Sequence, residues 1–111
     1  MGAFTKGDIV LFPFPYTNLS VRKIRPCLVL SEEMGEDLIL CQITSNKIRK
    51  DNFSVDVQQN ETLNGSLQVD SYVRANMLFT AAKIQIKKKI CSLSTSKYGE
   101  VVSVILRVIR R

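Results

Sequence analysis

The chain has 111 residues, 45% of them hydrophobic, and sixteen basic residues against ten acidic ones leave a net charge of +6. That length suits one domain spanning residues 1–111, able to bury roughly two thirds of the surface its unfolded chain exposes. It contains no apolar run near the ~18 residues a membrane span needs and its start, MGAFTKGD, has no secretory core, so the sequence predicts a soluble cytoplasmic protein. Histidine is absent, which removes the usual general base, the commonest metal ligand and every serine–histidine or cysteine–histidine mechanism. Chemistry then falls to arginine, lysine, hydroxyls and carboxylates, with no metal and no cofactor expected.

In chain order, apolar runs at residues 7–12 and 26–31 predict the first two strands. Pro13 and Pro15 each remove a backbone donor, so the first strand ends there or lies on a sheet edge. Between the runs lies a polar, basic loop with Asn18, Ser20, Arg22, Lys23 and, as its last residue, Arg25; Pro26 biases Arg25 towards extended backbone. Residues 32–37, with Gly35 among charges, read as a hairpin turn. Leu38 to Thr44 is nearly apolar throughout and reads as a central strand, and 45–52 as a basic loop. Alternation over Phe53, Val55 and Val57 predicts a half-buried strand, followed by a loop over 59–66.

Leu67, Val69 and Ser71 alternate into a longer strand through Phe79. A further strand begins at Ile84, with Lys83, Gln85 and Lys87 on its solvent side. From Ser94 onward, Tyr98, Val101, Val102, Ile105, Val108 and Ile109 fall at helical spacing, Arg107, Arg110 and Arg111 suit a helix C-terminus, and Ser94 or Ser96 can cap its start. Short strands with turn residues and one terminal helix make a mainly β fold, a small, strongly bent barrel. Cys27, Cys41 and Cys91 lie in or beside apolar runs without a C-x-x-C pair, the pattern of reduced, core-packed thiols. The clustering of basic residues (Arg22, Lys23, Arg25; Lys47, Arg49, Lys50; Lys83, Lys87 to Lys89) away from Glu32, Glu33, Glu36 and Asp37 suits a polyanionic partner, nucleic acid first.

Four ordered blocks carry a resemblance. G-D-I-V-x-x-P-F-P-Y-T followed by R-P-C-L-V-L-S, then Gln42-Ile43-Thr44-Ser45-Asn46, GSLQVDSYVRANMLFT over 65–80, and KKICSLS over 88–94 are together similar to the MazF/PemK family of toxins from type II toxin–antitoxin pairs. The resemblance implies an SH3-like barrel and a metal-independent endoribonuclease that cuts single-stranded RNA. Without histidine or metal, the accessible route is attack by a ribose 2′-hydroxyl on its own phosphate, leaving a 2′,3′-cyclic phosphate and a 5′-hydroxyl.

Arg25 matches the family's catalytic arginine and can clamp the phosphate. Thr44 matches its catalytic threonine, and Asp70 aligns with an aspartate proposed as general base in the PemK-like branch. Gln68, however, stands where that branch has a basic residue, and the branch's first-loop histidine is missing, so the proton-transfer roles stay open. For RNA binding, Tyr16 is placed either to stack on a base or to pack the core. Ser45, Lys23, Lys47 and Arg49 are candidates for the flanking nucleotides, while Arg74 has either a site role or a structural carboxylate partner. The implied partners are an antitoxin with an acidic segment and a second copy in a homodimer, for which the apolar third block and tail supply surplus surface. Two alternatives use the same barrel: a gyrase-poisoning toxin, whose resemblance runs through a C-terminal tryptophan this chain lacks, and an inactive RNA-binding barrel.

Overall fold

Pro13 and Pro15 do not end the first strand. The computed structural model describes residues 3–15 and 22–110, and β1 runs over Asp8–Pro15, pairing throughout with β2 (Arg22–Val29). On its other side β1 pairs with β7 (Lys88–Leu93) only as far as Leu11. Both prolines therefore sit where β1 has a neighbour on one side only, which is where a missing N–H costs nothing.

β3 (Asp37–Thr44), β4 (Ser54–Val57), β5 (Thr62–Leu63) and β6 (Ser71–Ala82) complete the strands, and α1 (Thr95–Arg110) ends the chain. Among the described residues they form one antiparallel sheet in the order β4-β6-β3-β2-β1-β7-β5, curled into a nearly closed seven-stranded barrel. This is the mainly β barrel with a C-terminal helix that the sequence predicts. No described helix is long and apolar enough to cross a membrane.

The central strands are apolar on both faces because each face packs a separate cluster. Ile9, Leu28, Cys41, Ile43, Val73 and Cys91 form one core with Val101 and Ile105 of the helix. Val10, Cys27, Val29, Leu38 and Leu40 form the other, beside the packed rings of Phe12, Phe14 and Phe79 at centroid distances of 5.3–5.4 Å. Adjacent residues such as Ile9 and Val10, or Cys27 and Leu28, fall into opposite clusters, as the two-residue period of a strand requires. All three cysteines are free thiols in these cores.

Helical spacing prevails over β-branching in the tail because Val101 and Ile105, one turn apart, both find the core. Ser94 caps the helix through its hydroxyl, which accepts from the Lys97 N–H at 3.3 Å. The Tyr98 hydroxyl donates to the Leu30 carbonyl at 3.1 Å, tying the helix to the end of β2.

Two sequence expectations are corrected. Lys83–Gln85 is a 3₁₀ turn rather than the start of a strand, so Ile84 faces solvent at 90% exposure while Ile86 is buried. Leu67 to Asp70 is not strand either, because Gln68 adopts φ +76° and breaks the alternation. Gly65 pins this loop: at φ +136° it lies so close to β7 that a Cβ would overlap the Ile90 carbonyl. β6 itself carries a wide bulge. Cys41 pairs with Leu78 and Ile43 with Val73, so four residues, Arg74 to Met77, stand against Gln42 alone.

Candidate active site

Pro26 shapes the site. The Leu30 N–H bonds the Ile39 carbonyl, so alternate residues of β2, Leu28 and Pro26 among them, turn their backbone towards β3. Pro26 has no N–H to give there, and the β2–β3 ladder ends one residue later, at Cys27–Gln42. Continued two residues beyond that last pair, the register sets Arg25 across from Thr44 with no ladder between them. Alternation puts both on the face of Cys27 and Leu40, the side of the second core.

Arg25 is therefore not the last residue of a loop but the fourth residue of β2, paired with Phe12 of β1. It is half-buried, and among the described residues its guanidinium has no hydrogen-bond or ion-pair partner. Thr44 closes β3 at 6% exposure. Its Oγ1 accepts the Asn46 N–H at 3.1 Å, which leaves the hydroxyl hydrogen to be donated elsewhere. The Asn46 side chain in turn accepts from the Ile48 N–H and starts a 3₁₀ turn that presents Lys47 and Arg49 to solvent. Ser45 is exposed beside them.

Asp70 stands exposed at the foot of β6, two residues before Tyr72, which pairs with Thr44. It is thus brought to the same end of the sheet as Thr44. Lys23 lies exposed on β2 opposite Phe14. Tyr16 lies outside the described residues, as do Asn18, Ser20 and Arg111.

Several basic residues of the sequence clusters are engaged elsewhere. Lys89 pairs with the buried Asp8 at 3.1 Å, Lys83 with Glu33 at 2.8 Å, and Lys50 with Asp56 at 3.3 Å. Lys50 also lies 5.1 Å above the Tyr72 ring. Among the described residues, Arg25, Lys47 and Arg49 have no such carboxylate, so this end of the barrel carries uncompensated positive charge. Burial pushes the Cys41 thiol up to about 12 and the Cys27 thiol further still, so neither supplies a nucleophile.

Sequence reasoning missed Tyr72 and Gln42 as neighbours of the site. The signal for both was the strand register, which alternation alone does not supply. Arg74 has no carboxylate partner among the described residues: its Nη1 donates to Gln42 Oε1 at 3.1 Å. A groove of about 710 Å³ lined by Pro26, Leu67, Gln68 and Lys88 opens beside Pro26, on the face of β2 opposite Arg25, and belongs to neither residue's chemistry.

An unpaired guanidinium and a donor hydroxyl flanking a gap in a sheet can hold a tetrahedral oxyanion from two sides, the first by a two-pronged charge contact and the second by one hydrogen bond. The fold and this constellation define the class: a compact, basic, antiparallel β-barrel with an arginine and a threonine beyond the end of a ladder. The chain belongs to the PemK-like, MazF-like toxins of type II toxin–antitoxin systems, whose family model matches residues 5–109.

Solved structures agree on the fold. A MazE–MazF complex from Deinococcus radiodurans superposes with a TM-score of 0.77 at 18% identity, covering 98% of each chain. MazF from the same organism gives 0.74 at 20% identity over 100% of both chains. A mycobacterial endoribonuclease in complex with its cognate antitoxin gives 0.74 at 14% identity, covering 97% of this chain and 96% of that one. No protein of curated function matches the chain in sequence.

Proposed function

We propose that the chain is a metal-independent endoribonuclease that cleaves single-stranded RNA by 2′-hydroxyl attack. The oxygen attacks the adjacent phosphorus, the bond to the 5′-oxygen breaks, and a 2′,3′-cyclic phosphate and a 5′-hydroxyl result. The 2′-hydroxyl gives up its proton and the leaving 5′-oxygen gains one. Arg25 neutralises the charge that grows on the non-bridging oxygens and Thr44 donates to one of them, where such contacts count most. Asp70, at the foot of β6, is the candidate to take the 2′-proton. Lys23, Ser45, Lys47 and Arg49 bind flanking nucleotides, with Tyr16 as the candidate stacking residue.

The single observation that carries this reading is the gap beyond Cys27–Gln42, flanked by an arginine without a carboxylate and a threonine whose hydroxyl hydrogen has no acceptor, both among the described residues. In the cell, the cytoplasm on this reading, an antitoxin with an acidic segment covers the same cations; a MazF of the same fold was solved together with MazE. The working unit is a homodimer, for which Met77 at 41% and Leu78 at 39% exposure on β6 leave apolar surface to cover.

The test is incubation of purified protein with RNA in EDTA. Cleavage with cyclic-phosphate ends supports the proposal; RNA bound but left intact would turn the reading to a non-catalytic barrel. A solution mass near 12.5 kDa at micromolar concentration would reject the dimer.

A further inference from the structure

We infer that Gln42, held by Arg74, reads a base at this site: its amide nitrogen donates to a carbonyl oxygen of a uracil or guanine next to the scissile phosphate. This rests on the ribonuclease reading above.

Position comes first. Gln42 is the last residue of β3 that pairs with β2 before the gap, opposite Cys27. One pleat, about 7 Å of strand, separates it from Thr44 on the same face, and Cys27 is the same step from Arg25. Gln42 is half-buried where Thr44 is buried, so it reaches further towards solvent than the threonine does.

Polarity follows. A guanidinium only donates, so the contact from Arg74 Nη1 at 3.1 Å fixes the oxygen of the Gln42 amide towards β6. The NH₂ is the remaining end, and among the described residues it has no partner. Gln42 thus offers a donor whose sense is set by a neighbour. Arg74 is itself anchored, since its carbonyl accepts from the Cys41 thiol at 2.8 Å, and it stands in the bulge that only Gln42 opposes.

The local energetics favour function over stability. Arg74 Nε and Asn76 Oδ1 are buried without a partner, and a buried unsatisfied polar group destabilises a fold. Apolar side chains of similar volume would serve a purely structural bulge better, so polar residues here point to a working site.

Uracil and guanine present carbonyl acceptors at positions where cytosine and adenine present amines, and the edges of splayed bases are how single-stranded RNA is read. A donor therefore selects the first pair and an acceptor the second.

The experiment compares cleavage of RNAs that differ only in the nucleotides flanking one susceptible bond. Gln42→Glu keeps the side-chain shape and gives Arg74 a carboxylate, but replaces the donor with an acceptor. The proposal expects kcat/KM at uracil or guanine sites to fall about tenfold or more relative to cytosine and adenine sites, the scale of one base-edge contact, with Tm unchanged or higher. Arg74→Met frees the amide to turn and should flatten the preference to within a few-fold. A Gln42→Glu protein with wild-type Tm and wild-type nucleotide preference would overturn the inference and leave Gln42 a structural staple. Should Gln42→Glu fail to fold, Gln42→Met must lose the same preference, and its retention would overturn the inference equally. Wild-type protein that cuts no RNA would remove both this and the ribonuclease reading, a result visible before any variant is made.

Discussion

Cys27 on β2 and Gln42 on β3 form the last pair of their ladder on the side where Arg25 and Thr44 follow. The cause is Pro26, which withholds the next N–H from β3. One proline thus converts a continuous pair of central strands into a notch whose two lips carry an arginine and a threonine.

If that notch is the reaction centre, Arg25→Ala should lower the cleavage rate roughly 10²-fold through lost transition-state charge stabilisation. Thr44→Val, which keeps the β-branched shape, should lower it less. Neither should alter circular dichroism, and EDTA should leave the wild-type rate unchanged. Wild-type activity in nuclease-free Arg25→Ala protein would end the assignment.

Gly65→Ala is expected to destabilise the barrel by about 3 kcal/mol. The backbone there holds φ +136°, and the new methyl group would meet the Ile90 carbonyl of β7 rather than a side chain able to move. Denaturant melts of the variant decide it, and a loss under about 0.5 kcal/mol, the size of a neutral surface change, would contradict the packing described.

The thiols should be inert in the native protein. Burial raises Cys27, Cys41 and Cys91 alike above their ordinary range, so little thiolate exists at pH 8. Reaction with a thiol reagent should require denaturant and then consume three equivalents, the cysteine count of the chain. Rapid labelling without denaturant would refute the burial.

Acid should destabilise the fold in a narrow window. The Lys83 hydrogen bond, then the Phe4 N–H, hold the Glu33 carboxyl below its usual range; the Gln58 N–H, then Lys97, do the same for Glu61. A depressed folded-state value adds stability above the unfolded carboxylate value of about 4.3, and that contribution is lost as pH falls through the lower folded value. Tm should hold steady from pH 7 to about 5 and decline below about 4, and Glu33→Gln should show a smaller decline. A Tm that stays level to pH 3 would show these pairs to be immaterial.

Charge reversal at Lys47 and Arg49 should weaken RNA and antitoxin binding together, with both affinities falling as salt rises. Reversal at Arg110, at the end of the helix, should spare both. Titration of each variant against RNA and an acidic antitoxin peptide gives the answer, and a peptide bound without salt dependence would separate the two surfaces.

Local chemistry made much of this protein legible before its fold. Alternation at Val55 and Val57, the helical spacing of Val101 and Ile105, the Ser94 cap and the apolar run to Thr44 are each set by neighbours a few residues away, and each is found in the structure. Where a single residue upset the local period, the sequence misled: the positive φ of Gln68 ended one predicted strand, and the turn at Lys83–Gln85 exposed Ile84.

What the sequence determined by itself was a basic, histidine-free, mainly β chain, because composition and short-range pattern carry that much; Arg25 and Thr44 became its candidate pair only through the resemblance of four ordered motif blocks to a toxin family. Only the tertiary structure decided which cations stay unpaired, since Lys83 and Lys89 meet Glu33 and Asp8 across 50 and 81 positions of chain. It alone joined Arg74 to Gln42 as well. Such pairings depend on strand order and register, which are settled by how the two cores pack and not by any residue's neighbours in sequence.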